Sequence, residues 1–437
     1  METASILGLS LGIPVSILAI IIILLGLVLF ITEWIPIPVT GLVLSILMGI
    51  TGCMPMDKIY SGFASSAFIM MFGLLIVGDS LFATGLANVL GQKLTKVKAL
   101  QNEKVLFAVL FVITGLCSAF FSNSATVAMV IPICASIVAS SHGKLQNKYY
   151  IMGIGMAGVI GGTLTLVGSV PQVTANGILM ESGYESLGMF DWAKVSGPSF
   201  IVALLYFLTV GFRLEKKVLN FDDVSPVSAE YDPAAEGEQK ITKQMIVCAC
   251  VFLFCMLCFV TGLFPVAVTA MIGAAILFAT KAMNFKTTMR NLDWNALIVV
   301  ATSTSFATGL NTSGGGKLIA DTVLNLFGGE SASVTALMIA GVLISAGLGQ
   351  LMSMTAIVSM MVPIYISIAA AMGVSPYPFI YALVLAASTG LATPVGNAAI
   401  TQTMVGGYRF MDYVKIGGPL TVLLVIINCI LTPIMFK

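Results

Sequence analysis

Two short clusters of hydroxyl and amide side chains interrupt the most apolar stretches of the chain. The first is SNSAT at residues 122–126, and the second is SMTAI at residues 353–357. Two further interruptions combine glycine, proline and polar residues, GSVP at residues 168–171 and ATPVGN at residues 392–397. Helix N-termini at such breaks offer N–H groups to an anion, and released carbonyl groups can coordinate a cation. These residue types therefore predict a site that binds an anion and a cation side by side.

The composition argues against catalysis and against nucleic acid as a partner. The 437 residues include one His, 20 Lys+Arg and 19 Asp+Glu, and 58% of the chain is hydrophobic. No pair of acids, metal-ligand cluster or nucleophile with a base can be assembled from these residues, so we expect no enzyme and no organic cofactor. A net charge of +1 provides no concentrated basic surface for phosphate groups.

Membrane-spanning helices are the elements that must position these clusters. Residues 331–408 contain no charged side chain and no His. Such runs predict an all-α polytopic membrane protein. Two apolar stretches, about 105–139 and 334–372, are too long for one upright helix and polar in their middles, which predicts re-entrant hairpins. The ten predicted spans lie near residues 15–33, 38–54, 62–90, 149–180, 195–212, 244–262, 266–280, 294–325, 377–404 and 416–436.

The chain also repeats its own pattern. FATGL occurs at residues 82–86 and 306–310, and SNSATVAMVIPI from Ser122 parallels SMTAIVSMMVPI from Ser353. The shared order and spacing predict an internal duplication, each half holding five spans and one hairpin. An odd number of crossings inverts the second copy relative to the first. Inverted repeats with interrupted helices are typical of secondary transporters.

Lysine placement predicts orientation and domain limits. Lysines occur at residues 93–104 before the first hairpin and at residues 144–148 after it. Because positive charge collects on the cytoplasmic side, both flanks are expected there. Both termini are then expected on the external side of the cell membrane, which is the inner or plasma membrane. The predicted domains are an N-terminal repeat (1–213, hairpin on the cytoplasmic side), a cytoplasmic linker (214–243) and a C-terminal repeat (244–437, hairpin on the external side).

Several segments resemble a known family, the divalent anion/sodium symporters, also called the INDY-type di- and tricarboxylate carriers. The similarity covers nearly the whole chain and begins at ITEW, residues 31–34. SAFFSNSAT at residues 118–126 looks like the family's S-x-x-x-S-N-T-A-T hairpin tip. GGTLTLVGS at residues 161–169 looks like its first broken helix.

The resemblance implies an ion-transporter-superfamily elevator fold and a homodimer. Each protomer would hold a fixed scaffold, about residues 15–90 and 244–325, and a mobile transport domain, about residues 105–212 and 334–436. A sodium site would use Ser118, Ser122, Asn123 and Gly168. Substrate contacts would come from Asn123, Ser124, Ser169, Thr355, Thr393 and Pro394, together with Asn397 in the second break.

The chain departs from the family pattern at Met354, where the family has Asn, and at Ser124, where it has Thr. A thioether is a poor ligand for a hard ion such as sodium. The family's second sodium site, between the second hairpin and Ala392, is therefore expected to be weak or missing, unless backbone carbonyl groups near Gly349 and Met352 replace the lost ligand. An acid within a span is costly, so Asp79 is expected to be either a proton site or a residue at a helix end or cavity wall.

These observations lead to one main functional prediction and three alternatives. The main prediction is a secondary active transporter of small anions, most of all C4-dicarboxylates, that is coupled to sodium through one site or exchanges anions. The alternatives are a permease for inorganic oxyanions such as sulfate or arsenite, a proton-coupled permease, and, from another class, an anion channel. The expected partners are the substrate, the lipid bilayer and a second copy of the chain.

Overall fold

The computed structural model describes residues 3–6, 9–85, 102–141, 143–226, 241–329 and 332–436, and each structural statement below concerns these residues. Within them the fold is helical apart from one antiparallel pair of short strands, β1 (Thr3–Ile6) and β2 (Leu9–Pro14). Six helices are long and apolar enough to cross a membrane. The predicted all-α polytopic membrane fold is confirmed.

Proline and serine stand at the beginnings of the first three helices, α1 (Val15–Thr32), α2 (Ile37–Ile50) and α3 (Ser66–Ala83). Pro14 and Pro36 occupy the N-cap positions of α1 and α2, where a missing N–H group costs no helical hydrogen bond. Ser65 Oγ accepts a hydrogen bond from Phe68 N at 3.2 Å and caps α3.

A helical hairpin and a broken helix follow in the first half: α4 (Glu103–Ser118), α5 (Asn123–Ser140), α6 (Ile151–Gly162), α7 (Val170–Glu181), α8 (Ala193–Tyr206) and α9 (Phe212–Val218). The predicted hairpin consists of α4 and α5, which are joined by a turn at residues 119–122. The predicted span near 149–180 is divided into α6 and α7 by residues 163–169. A π-helical segment, Phe207–Gly211, links α8 to α9, so this helix continues past the predicted limit of the repeat at residue 213.

The second half repeats this order: α10 (Lys243–Thr261), α11 (Val266–Ala279), α12 (Phe285–Asn291), α13 (Trp294–Thr312), α14 (Gly315–Leu326), α15 (Val334–Leu348), α16 (Met354–Met372), α17 (Tyr377–Ala387), α18 (Ala398–Gln402) and α19 (Phe410–Met435). Its hairpin is α15 with α16, and its broken helix is α17 with α18. The single span expected near 294–325 is instead divided into α13 and α14. Gly314 causes this division, because it adopts a φ of 73° between the two helices.

Helix contacts are exchanged between the two halves. The second helix of each half packs on the third span of the other, α2 on α13 and α11 on α3. Each first hairpin helix packs on the first part of its own broken helix, α4 on α6 and α15 on α17. Each second hairpin helix packs on the second part of the other broken helix, α5 on α18 and α16 on α7. This reciprocal packing brings both hairpin turns and both breaks to one place.

Candidate functional site

A cavity of about 480 Å³ lies where the two hairpin turns and the two helix breaks meet. Residues of both halves form its wall. Among the described residues, none that lines the cavity is Lys, Arg or His. Most of the residues predicted for the site are brought together here. Those that line the cavity are Ser122, Asn123, Ser124, Gly168, Ser169, Thr355 and Asn397.

Three of the helices that begin at the cavity wall have a serine at the N-cap position. Helices α5, α7 and α16 follow the N-cap residues Ser122, Ser169 and Ser353, and all three serines line the cavity. A serine in this position usually accepts a hydrogen bond from the first helical turn, but in the described chain these three side chains make no such bond. Each helix N-terminus carries about half a positive charge. The positive ends of three helices are therefore available to a negatively charged ligand.

Ser118 lies behind Asn123 instead of in the cavity wall. Its hydroxyl group donates a hydrogen bond to Asn123 Oδ1 at 2.8 Å and lies 2.6 Å from Gly158 O. Ser118 is fully buried, whereas Asn123 is 9% exposed. Ser118 thus fixes the orientation of the amide that the cavity presents.

Carbonyl oxygens converge beside Gly168. A Cβ atom added to this glycine would lie 2.5 Å from Gly162 O, 2.7 Å from Ala119 O and 2.8 Å from Ser118 O. Asn123 Oδ1 lies directly against Gly162. Oxygen groups of this kind are the ligands of hard cations. These oxygen atoms are of the type that could coordinate sodium beside the first break, and sodium binding by Ser118, Ser122, Asn123 and Gly168 stays a prediction.

The second half has the same backbone arrangement with different side chains. Met354 occupies the position that Asn123 has in the first half, and Asn397 Nδ2 donates to Met354 Sδ at 3.5 Å. Gly396 lies against Gly349 O, as Gly168 lies against carbonyl groups in the first half. The hydrogen-bonding oxygen of the first turn is thus replaced by a thioether in the second.

Thr393 and Pro394 are not among the residues that line the cavity. Thr393 Oγ1 donates to Gln350 O at 2.6 Å, and Thr165 in the first break makes the matching hydrogen bond to Ala119 O. The repeat therefore aligns Thr393 with Thr165, a residue that ties the break to the hairpin. The role of Thr393 and Pro394 as substrate contacts stays a prediction.

Three carboxylates also line the cavity: Glu33, Asp79 and Asp293. Asp79 thus stands at the cavity wall, and proton binding by this residue stays a prediction. Asp293 Oδ1 accepts a hydrogen bond from Ala296 N at 3.1 Å at the start of α13. Sequence reasoning missed Asp293, because an Asp before a helix is expected to be an ordinary N-cap.

Aromatic side chains hold the first hairpin turn against its neighbours. Phe120 and Phe121 line the cavity, and Phe121 packs on Phe82 of α3 and on Phe252 of α10 with ring centroids 5.5 Å and 5.3 Å away. Sequence reasoning also missed these residues, since phenylalanines are common in apolar spans. They add an apolar wall to a site that is otherwise formed by small polar groups.

A family of transporters and several individual transporters are similar to this chain in sequence. A family model for citrate transporters matches residues 27–383 and 256–437, and thus nearly the whole chain. An uncharacterized transporter of Haemophilus influenzae is 25% identical over 422 residues, covering 92% of this chain and 87% of that protein. The sodium-dependent dicarboxylate transporter SdcS of Staphylococcus aureus is 24% identical over 402 residues, covering 84% of this chain and 76% of that protein.

Solved membrane transporters have a similar fold. MtrF of Neisseria gonorrhoeae, one of a class of antimetabolite efflux pumps, aligns with a TM-score of 0.57 at 14% identity over 96% of this chain and 94% of MtrF. The YdaH transporter of Alcanivorax borkumensis aligns with a TM-score of 0.55 at 16% identity over 86% of both chains. At this level of identity the similarity concerns the fold alone.

Proposed function

Because the chain belongs to the citrate transporter family, we propose that it is a secondary active transporter of small anions and that C4-dicarboxylates are its main substrates. Membership of this family agrees with the resemblance to the divalent anion/sodium symporters. The family and the relatives are transporters, not enzymes.

One observation supports an anionic substrate above all others. Three helix N-termini with uncapped serines meet at a cavity whose lining residues, among those described, include no basic side chain. The partial charges of the three helices together amount to more than one positive charge. They attract a dianion without an ion pair that would have to break on release. A volume of about 480 Å³ suits a small ligand.

Sodium is the proposed coupled ion, at one site in the first half. The carbonyl groups beside Gly168 and the amide oxygen of Asn123 supply ligands that sodium prefers. The cation adjoins the cavity wall at Asn123, so it lowers the electrostatic cost of bringing a dianion there. A relative named as a sodium-dependent dicarboxylate transporter also supports this choice.

Proton coupling is the second candidate, and the carboxylates of the cavity wall favour it. Asp79, Asp293 and Glu33 line the same space that would receive the anion. A proton held in this cavity would offset part of the charge of a dianion. A proton could therefore enter with the substrate in place of sodium, or in addition to it.

Uptake of labelled succinate into proteoliposomes tests these candidates. We expect saturable uptake that shows counterflow, that sodium stimulates, and that malate and fumarate inhibit. Inhibition by sulfate or arsenite alone would indicate that the substrate is an inorganic oxyanion and not a dicarboxylate. Stimulation by a proton gradient without sodium would favour the second candidate. Flux that neither saturates nor shows counterflow would contradict a carrier and favour a channel.

We further propose an elevator movement in a homodimer located in the cell membrane, with both termini external. The first hairpin then enters and leaves on the cytoplasmic side. Single cysteines at Gln92, which lies outside the described residues, and at Gln146 should both react only with a reagent inside. The background must lack exposed native thiols such as Cys250. Labelling from opposite sides would contradict the hairpin and the inversion, and a monomer in detergent by light scattering would contradict the homodimer.

A further inference from the structure

Gln350 connects the second hairpin to the second helix break through its carboxamide group. Gln350 Nε2 donates hydrogen bonds to Ala346 O at 3.0 Å and to Thr389 O at 3.2 Å. Gln350 Oε1 accepts a hydrogen bond from Ala392 N at 3.0 Å. One side chain thus satisfies three backbone groups, of which two belong to the break and one to the hairpin helix.

The matching position in the first half is Ala119, whose methyl side chain can make none of these bonds. The backbone bond at this position is the same in both halves, because Thr165 donates to Ala119 O and Thr393 donates to Gln350 O. We call the place where a hairpin turn meets the helix break of the same half a junction. The difference between the two junctions therefore lies in the side chain. In the first half, carbonyl oxygens converge beside Gly168 with no side-chain donor from residue 119 to neutralise them.

We propose that Gln350 is a positioning residue that does the work of a second bound cation. This inference rests on the proposed transport of an anion with a coupled ion. A cation at a helix break draws carbonyl dipoles of two segments together, and an amide group with two N–H donors does the same without carrying a net charge. The second half of the site is therefore assembled by the chain itself, whereas the first half is completed by an ion.

The proposal also explains why the family's second sodium site does not fit this chain. Gln350 Oε1, a side-chain oxygen at the place expected for that site, is already bonded to the Ala392 N–H group. The Thr389 carbonyl beside it is bonded to the amide nitrogen of the same residue. Met354 adds a thioether where an oxygen would be needed. A cation would have to displace the amide before it could coordinate there.

The variant Gln350→Glu separates this role from ordinary support of the fold. An ionised carboxylate keeps the acceptor for Ala392 N but places negative charge against the two carbonyl oxygens. It therefore requires a cation to bridge them. A protonated carboxyl group donates one hydrogen bond and resembles the amide. The readout is the dependence of succinate binding on sodium concentration, measured by thermal shift and by uptake into proteoliposomes at about pH 8 and about pH 5.5, on either side of an elevated carboxyl pKa.

We expect Gln350→Glu at the higher pH to depend on sodium one power more steeply than wild type, and to return toward the wild-type dependence at the lower pH. Gln350→Ala should lose about tenfold in succinate affinity with an unchanged power of sodium, since it removes three hydrogen bonds and adds no charge. Gln146→Glu, a matched change on a loop, should behave as wild type.

Three results would overturn the proposal. They are an unaltered sodium dependence of Gln350→Glu at both pH values, an unaltered succinate affinity of Gln350→Ala, and a wild-type protein that already needs two sodium ions. If Gln350→Glu fails to fold, Gln350→Ala still decides the matter. Failure of the proposed function looks different, because wild type would then neither bind nor accumulate any dicarboxylate.

Discussion

The two junctions, where each hairpin turn meets the helix break of its own half, share a backbone hydrogen bond but differ in their side chains. In both, a threonine of the break donates a hydrogen bond to a backbone carbonyl of the hairpin turn, Thr165 to Ala119 and Thr393 to Gln350. The first junction then presents oxygen atoms, including Asn123 Oδ1. The second is closed by the amide of Gln350 and the thioether of Met354. Duplication thus preserved the positions of the helix N-termini, while two positions, Asn123/Met354 and Ala119/Gln350, differ in side chain between the halves.

The cavity walls formed by α3 and α13 also differ between the halves. The repeat aligns Asp79 of α3 with Ser303 of α13. Asp79 lines the cavity, whereas the Ser303 hydroxyl lies 2.5 Å from the Ser359 hydroxyl and is fully buried. One half therefore exposes a titratable group to the ligand, and the other uses the matching position for packing. At this aligned position the two halves therefore differ in charge.

The largest expected effect is that of Asn123→Ala compared with Met354→Ala. Asn123 is bonded to Ser118 and contributes to both the proposed ion site and the cavity wall, so its loss should abolish measurable succinate binding. Met354→Ala removes a thioether contact with Asn397 and packing in a buried cluster, which lowers the stability of the fold. It removes no oxygen ligand, so it should weaken succinate binding less than threefold, or about 0.6 kcal/mol. Isothermal titration calorimetry on both variants, with size-exclusion chromatography to verify folding, measures the contrast. Equal losses would mean that the two halves bind substrate alike.

Thr165→Val and Thr393→Val compare the same hydrogen bond in the two junctions. Thr165→Val removes the hydrogen bond from Thr165 to Ala119 O and the two that Thr165 accepts from Val167 N and Gly168 N. The carbonyl groups of the proposed ion site then lose their fixed arrangement, so sodium affinity should fall about tenfold. Thr393→Val should change sodium affinity less than twofold, because the three side-chain bonds of Gln350 still hold the second junction. Sodium titrations followed by thermal shift measure both. A larger loss from Thr393→Val would locate the ion in the second half.

Asp79→Asn examines the asymmetry of charge. An ionised Asp79 repels a dianion in the same cavity, so its removal should tighten succinate binding about threefold to tenfold near neutral pH. Ser303→Ala, the matched change in the other half, should leave affinity unchanged. If Asp79 instead binds a coupled proton, Asp79→Asn would abolish accumulation driven by a pH gradient while exchange continues. Binding measured together with gradient-driven uptake separates these outcomes.

The hairpin turns and helix breaks could be predicted from sequence, because they occur twice in the same order. Duplication distinguishes them from glycine and hydroxyl residues that only pack neighbouring helices. The spans were less certain. Gly314 divided the segment expected near 294–325, since a single positive φ is a local event that hydropathy does not record. The sequence located the substrate contacts in each helix break only to within a few positions. Of the residues predicted in the second break, Asn397 lines the cavity and Thr393 does not.

Other contributors to the site could not be predicted, for a physical reason. Asp293 and Glu33 reach the cavity only because α2 and α13 pack together across the two halves. The bonds of Gln350 reach Thr389 and Ala392, about forty positions along the chain, and depend on how the hairpin meets the break. Periodicity describes one element at a time. Contacts between distant elements require the packed structure.

The smallest expected effect is that of Met354→Asn, which restores the first-half residue to the second half. If the thioether alone excluded a second sodium ion, this change would raise the dependence of uptake on sodium by a full power and add inward current per dianion. We expect less, because the Gln350 amide would still occupy the Thr389 carbonyl and the Ala392 N–H group. The new amide oxygen should mainly accept a better hydrogen bond from Asn397 than sulfur does, and stabilise the fold by about 0.5–1 kcal/mol. Combining Met354→Asn with Gln350→Ala removes both obstacles and should be the variant in which a steep sodium dependence appears. A steep dependence in Met354→Asn alone would assign the asymmetry to the thioether and leave Gln350 as packing.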